Sequence, residues 1–219
     1  MKSEPRHYPL WLRFWHWSNA VFFLALLVTG LRMHYSQPVF PPIDFRVSHL
    51  VHNAAGILLA LFYLLYIFGN LFLGNGRYYR IVREDISPGI FSQAYYYLNG
   101  IFLGRPHPFP HGADRKFNPI QKLAYLAVVL LLFPVIILTG LALFVPDRLP
   151  VGILGAPGIV FWVIAHTYVG YFLSIFMVVH VYLGTTGETL GELYRLMWFG
   201  DAHSHEEGGA PKGEVPGQA

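Results

Sequence analysis

Four stretches of this chain, at about 14–34, 49–73, 120–145 and 159–184, run long enough and apolar enough to cross a bilayer. A spanning helix needs about 20 such residues. Each stretch must be helical, because a backbone with unpaired amides cannot sit in hydrocarbon. The expected fold is therefore all-α, an integral membrane four-helix bundle. Composition agrees: 54% of residues are hydrophobic and 12% charged, about half the charged share of a soluble domain. There are no cysteines, so disulfides, cysteine-ligated clusters and thiol catalysis are excluded for this chain.

The first residues, MKSEPRHYPLWLRFWHW, lack a short apolar core followed by a small-residue cleavage site. The expectation is that the first apolar stretch stays as an anchor. Trp11, Trp15, Trp17 and Trp198 lie near span ends, as interfacial anchors do. An even number of spans puts both termini on one side. Of the 15 Lys and Arg, only Arg32, Arg46 and Arg148 fall on the other side, which leaves 12 with the termini and the 74–119 loop. That asymmetry predicts cytoplasmic termini. The net charge of +3 is explained by loops facing anionic lipid, without nucleic acid. Within 74–119, DISPGIFSQAYYYLNGIFLG mixes aromatics with few charges and reads as an amphipathic helix at the cytoplasmic interface or as a looser loop. Domain organisation follows: 1–200 form one four-span unit, and 201–219, rich in Gly, Pro and Glu, form a disordered cytoplasmic tail. His203 and His205 in that tail lack a full metal-ligand set.

Eleven histidines are present, and four fall within spans: His16, His52, His166 and His180. An ionisable side chain inside a membrane points to function. His166 and His180 are fourteen residues apart on span four. That is about 21 Å along a helix, with the two side chains within roughly 40° of one face. By topology, His16 matches the depth of His180 on the cytoplasmic side, and His52 matches His166 on the outer side. Two His–His pairs result, one near each face. Helix bundles build cofactor sites from inward side chains of this kind. Haem iron accepts two axial imidazoles, and its flat apolar macrocycle suits a lipid-buried bundle. Zinc would want further protein ligands that the spans do not offer. The four histidines are thus read as iron ligands of two haems.

His52 and His166 each open an H-x-x-x-G segment, HNAAG and HTYVG. Gly56 and Gly170, one turn on, would let a haem ring lie close against the helix. His49, three residues before His52, and His34, at the end of span one, are read as outer-surface residues near haem propionates. Spans one and three also share an echo, LLVTGL and IILTGL, explained adequately by a small residue permitting close helix packing.

These residues resemble a known family: the di-haem b-type cytochrome membrane subunits of bacterial respiratory enzymes. The group includes formate dehydrogenase gamma, the b-type cytochrome of nickel–iron hydrogenase and the thiosulfate-reductase-type cytochrome b. The likeness covers about residues 6–200. It rests on RFWHW with LLVTGL, on HNAAG, on FNPIQKLAY at the start of span three and on the two histidines of span four. HVYLGTTGETLGELYRLMWFG is similar to the thiosulfate-reductase-type branch. The resemblance implies that His16 and His180 ligate an inner haem b, and His52 and His166 an outer one. It implies a menaquinone or ubiquinone site beside the inner haem, with Asn118 and Gln121 near the quinone. It also implies a redox subunit on the outer face, carrying iron–sulfur clusters or multihaem cytochrome, and residence in a bacterial or archaeal cytoplasmic membrane. From the residues alone, Asn118 serves equally as an N-cap before Pro119, and Lys122 either meets a haem propionate or snorkels to the interface.

The expected function is electron transfer between that partner and the quinone pool, with quinone reduction or quinol oxidation at the chain's own site. The rival from another class is a transporter or proton channel built on histidine relays without haem. It predicts a polar route between the histidines, whereas Tyr168, Tyr171, Phe172 and Phe176 stand between His166 and His180. A cofactor-free anchor leaves the histidines unexplained. An ascorbate-type cytochrome would need soluble mass for a substrate site, which this chain lacks.

Overall fold

The structure, a computed structural model, describes residues 8–35, 43–83, 85–106, 108–109, 117–150, 152–153, 156–185 and 191–200. The expected tail at 201–219, with His203 and His205, lies outside the described residues.

Four helices are long and apolar enough to cross a membrane: Leu10–His34, Phe45–Phe72, Pro119–Leu143 and Gly158–Leu183. They match the expected spans, each beginning one to four residues earlier, because a helix continues past its apolar window to the residue that caps it. The first is α1 (Leu10–His34) and the second α2 (Phe45–Phe72). Asp44 caps α2 by accepting from the amides of Arg46, at 2.8 Å, and Val47. Span three consists of α4 (Pro119–Ala127) and α5 (Phe133–Leu143), joined by a wider turn over Val128–Leu132. Pro134 has no amide hydrogen and crowds the preceding turn, which accounts for the widening. The Tyr63 hydroxyl of α2 donates to the Val129 carbonyl there at 3.1 Å. Span four is α6 (Gly158–Leu183). Between α5 and α6 lies a minimal antiparallel hairpin, β1 (Gly152–Ile153) with β2 (Ala156–Pro157).

Helices pair as two hairpins, α1 with α2 and α5 with α6, and contacts between the hairpins are sparser. Lipid tails are as apolar as leucine, so helix association rests on close fit at small residues. Gly69 shows this: a Cβ there would stand 2.6 Å from the Trp11 ring. Trp15, expected as an interfacial anchor, faces α2 instead. Its ring stacks on Tyr66 with centres 4.0 Å apart, and its Nε1 donates to the Phe62 carbonyl at 2.7 Å.

Within 74–119 the described residues form two helical stretches, Asn75–Tyr79 and 85–103, with non-helical residues between and after them. The second run is interrupted at Ser87, whose backbone is extended (φ −147°, ψ 123°), and contains α3 (Ile90–Tyr95). The Lys122–Asp85 ion pair, at 2.6 Å, ties this run to span three, with side chains only 12% and 6% exposed. Lys122 also donates to the Arg80 carbonyl, so the lysine is engaged in protein contacts rather than free at the interface. A last helix, α7 (Glu192–Phe199), docks on the start of α1: Arg13 Nη1 donates to the Trp198 carbonyl at 2.6 Å, and the Trp17 and Trp198 rings meet edge to face.

Candidate functional site

The bundle brings the four spanning histidines together as the two expected pairs. The His16 and His180 ring centres are 6.0 Å apart, and those of His52 and His166 are 6.2 Å apart. His16 stands near the start of α1 and His180 near the end of α6. His52 lies early in α2 and His166 early in α6. The pairs thus occupy opposite ends of the bundle. A metal ion between two imidazole nitrogens, each about 2 Å from it, sets the ring centres about 6 Å apart. Both pairs have that separation. Among the described residues no group of three His, Cys, Asp or Glu side chains is placed to hold a metal. Two facing imidazoles, with no third protein ligand among the described residues, would suit a metal whose other positions are filled by a macrocycle.

The His52–His166 pair, expected on the outer side, opens on a cavity of about 770 Å³ between the two hairpins, within the range of cofactor pockets. Its walls are mostly apolar, with Phe23, Leu26, Phe133 and Leu173 among them. Gly56 and Gly170 both line it. A Cβ on Gly170 would meet nothing within 4 Å, and one on Gly56 only Leu26 at 3.9 Å. These two glycines therefore border open space, as their spacing from the histidines predicts. His34 and His49 are exposed at the cavity's rim, where His49 pairs with Asn53 at 3.3 Å. His52 rather than His49 faces His166.

The echo in spans one and three has a more definite place than close packing of helices. Gly30 and Gly140 line the same cavity. A Cβ on Gly30 would sit 3.3 Å from His52 Cε1, and one on Gly140 3.2 Å from His166 Cε1. The preceding residues, Thr29 and Thr139, put their Oγ1 atoms 3.0 Å from Nδ1 of His52 and of His166. The sequence signal was the TG repeat itself; what it left open was that an imidazole is the neighbour.

The His16–His180 pair, expected on the inner side, has different surroundings. Tyr125 Oη lies 3.2 Å from His180 Nδ1, and Phe176 stacks against the His180 ring. The Trp17 ring meets His16 edge on, and His16 Nδ1 is buried with no hydrogen-bond partner. Tyr66 donates to Tyr79 at 2.6 Å. Burial pushes the Tyr79 hydroxyl well above its ordinary pKa, and neighbouring Tyr66 adds to this, so Tyr79 stays neutral. Tyr125 closes the FNPIQKLAY segment, but nothing in the sequence tied it to a histidine, and no pattern marked Tyr79.

Asn118 and Gln121 sit at the start of α4, buried to 1% and 7% exposure. They form a reciprocal capping box. Asn118 Oδ1 accepts from the Gln121 amide at 2.9 Å, and Gln121 Oε1 accepts from the Asn118 amide at 3.2 Å. Asn118 Nδ2 donates to Tyr97 Oη at 2.8 Å. Of the two roles open for Asn118, the structural one is thus realised.

The profile of the prokaryotic cytochrome b561 family matches residues 7–200. The chain belongs to that family. It is 37% identical over 187 residues, 85% of this chain and 70% of the relative, to "Putative cytochrome YdhU" of Escherichia coli (strain K12). It is 28% identical over 155 residues, 66% of this chain and 72% of the relative, to "Putative protein-methionine-sulfoxide reductase subunit YedZ1" of Azospira oryzae. Membership bears out the resemblance to b-type cytochromes. With four spanning helices, it makes this a multi-pass prokaryotic membrane cytochrome b, an electron-transfer protein that uses b-type haem.

Proposed function

We propose that the chain is a di-haem electron conduit joining a redox partner on the outer face to membrane quinone. The observation that carries the reading is the pair of imidazole pairs, at ring separations of 6.0 and 6.2 Å and at opposite ends of one bundle. In this reading His52 and His166 hold the outer haem b, and His16 and His180 hold the inner one. Bound iron would supply reversible one-electron chemistry, tuned by its axial ligands and their surroundings. The protein's part is to aim four imidazoles, to line the outer site with apolar side chains that exclude water, and to keep Gly56 and Gly170 free of side chains.

The Arg and Lys asymmetry of the loops supports cytoplasmic termini, with the outer pair towards the opposite face. The relative from Azospira oryzae is described as a reductase subunit. By the same logic this chain serves a larger oxidoreductase, whose iron–sulfur or multihaem subunit would dock outside. We assign menaquinone or ubiquinone to the cytoplasmic end, near Asn118 and Gln121. There the capping box and the Lys122–Asp85 pair would shape the pocket wall, and the quinone would exchange protons with the cytoplasm.

The test is a dithionite-reduced minus oxidised spectrum of the purified chain with pyridine haemochrome quantitation. About two haems b per chain are expected; folded protein without haem overturns the reading. For the quinone assignment, Asn118→Leu should weaken a quinone-site inhibitor with haem content preserved. Loss of haem with unchanged inhibitor binding would leave Asn118 only its capping role.

A further inference from the structure

The outer pair is built twice from one plan. In the first hairpin, Thr29 and Gly30 on the outgoing helix face His52 on the returning helix, and Gly56 follows one turn on. In the second, Thr139, Gly140, His166 and Gly170 repeat this order. The hydrogen bonds repeat as well. Thr29 Oγ1 lies 2.6 Å from the Ala25 carbonyl oxygen, and Thr139 Oγ1 lies 2.7 Å from that of Val135. Each is also 3.0 Å from its histidine Nδ1.

A threonine hydroxyl has one proton to give and two lone pairs. The carbonyl four residues back has no proton, so at these distances it takes the hydroxyl's. The hydroxyl oxygen can then meet Nδ1 only as acceptor, which requires the ring proton to be on Nδ1. A neutral imidazole protonated on Nδ1 carries its lone pair on Nε2. Gly30 and Gly140 complete the arrangement by letting the Cε1 edge of each ring approach.

We propose that Thr29 and Thr139 are positioning residues that lock His52 and His166 with the proton on Nδ1, so that both rings offer an unprotonated Nε2 to the cavity between them. The chain of donors runs from Nδ1–H to the hydroxyl and from the hydroxyl to a helix carbonyl. It orients each ring and raises its basicity as a ligand, the usual effect of a hydrogen bond to the far nitrogen of a metal-bound histidine. This inference rests on the reading of the outer pair as haem ligands.

The experiment uses the full chain in membranes and in detergent. Thr29→Val and Thr139→Val, singly and together, remove the hydroxyl at nearly constant volume; Thr29→Ser and Thr139→Ser keep it. Haem per chain, the ferric low-temperature EPR signals and the midpoint of each haem are measured. The inner haem serves as an internal report of folding. The valine variants should move the outer ferric EPR signal. They should also shift the outer ferric-to-ferrous ratio at fixed potential at least threefold towards ferrous, with the inner signals unmoved. The serine variants should restore both. Outer signals unchanged in the double valine variant overturn the inference, as do serine variants that behave like valine, since packing alone would then explain the site. His52→Ala separates the underlying reading: if it removes no haem, the ligand assignment itself fails and the inference falls with it. That result is distinct from a normal outer haem that ignores valine.

Discussion

The two ends of the bundle hold histidine pairs at nearly the same separation, yet they are made differently. At the outer end each hairpin supplies the same set: a threonine, a glycine, a histidine and a second glycine. At the inner end the plan breaks. Fourteen residues before the two threonines stand Trp15 and Tyr125; fourteen after the two outer histidines stand Tyr66 and His180. In the first hairpin these positions form the Trp15–Tyr66 stack, and in the second the Tyr125–His180 contact. The missing imidazole comes instead from His16, one residue past Trp15, whose Nδ1 is left without a partner. One frame thus carries a symmetric, hydroxyl-anchored pair at one end and an asymmetric, aromatic-packed pair at the other. Ring spacing is therefore set by the frame, while the surroundings of each ring are free to differ.

The sharpest way to break the comparison is to remove ligands. His52→Ala or His166→Ala should leave about one haem per chain with inner EPR signals intact. His16→Ala or His180→Ala should remove the other haem and abolish quinone-linked turnover. Equal loss of both signals from any one of them would show that the ends are not independent. Asp85→Asn comes next. It leaves Lys122 without its carboxylate in a mostly buried place, which costs on the order of 3 kcal/mol. Thermal unfolding followed at the inner haem should fall earlier than at the outer one; a single shared transition would tie the ends together. Gly140→Val would put a branched side chain where a Cβ alone is already 3.2 Å from His166 Cε1. Outer haem affinity should drop roughly tenfold, read by haem retention on dilution, with inner occupancy unchanged. The smallest effect belongs to Tyr125→Phe, which removes one hydrogen bond of about 1 kcal/mol. The inner midpoint should move by about 40 mV at most, and the outer one not at all.

The spans and the four ligand candidates were legible because their signals are one-dimensional. Apolar length marks a membrane helix, and a titratable residue inside one stands out whatever surrounds it. Depth matching of His16 with His180, and of His52 with His166, needed only the alternation of helix direction. The neighbours of those histidines were harder to read. Thr29 and Thr139 were visible only as part of an echo, because serine and threonine are common in membrane helices and usually bond their own backbone. Trp15 and Tyr125 fall inside RFWHW and FNPIQKLAY, yet neither segment says what they touch: their roles, with that of Tyr66, arise from where α1, α2, α4 and α6 cross. Lys122 had two plausible roles at an interface, and its partner Asp85 is 37 positions away in sequence, beyond the reach of local pattern.

In the di-haem reading proposed above, the fourteen-residue interval on α6 also fixes how strongly the two sites feel each other's charge. It separates His166 from His180 by about 21 Å. At an effective dielectric near 20, one elementary charge at that distance is worth about 0.8 kcal/mol, or about 35 mV for a one-electron couple. An electron resting at one end of the bundle would therefore make the other end harder to reduce by that amount. In the di-haem reading the penalty, a factor of about four in the reduction equilibrium, is small enough for both ends to fill.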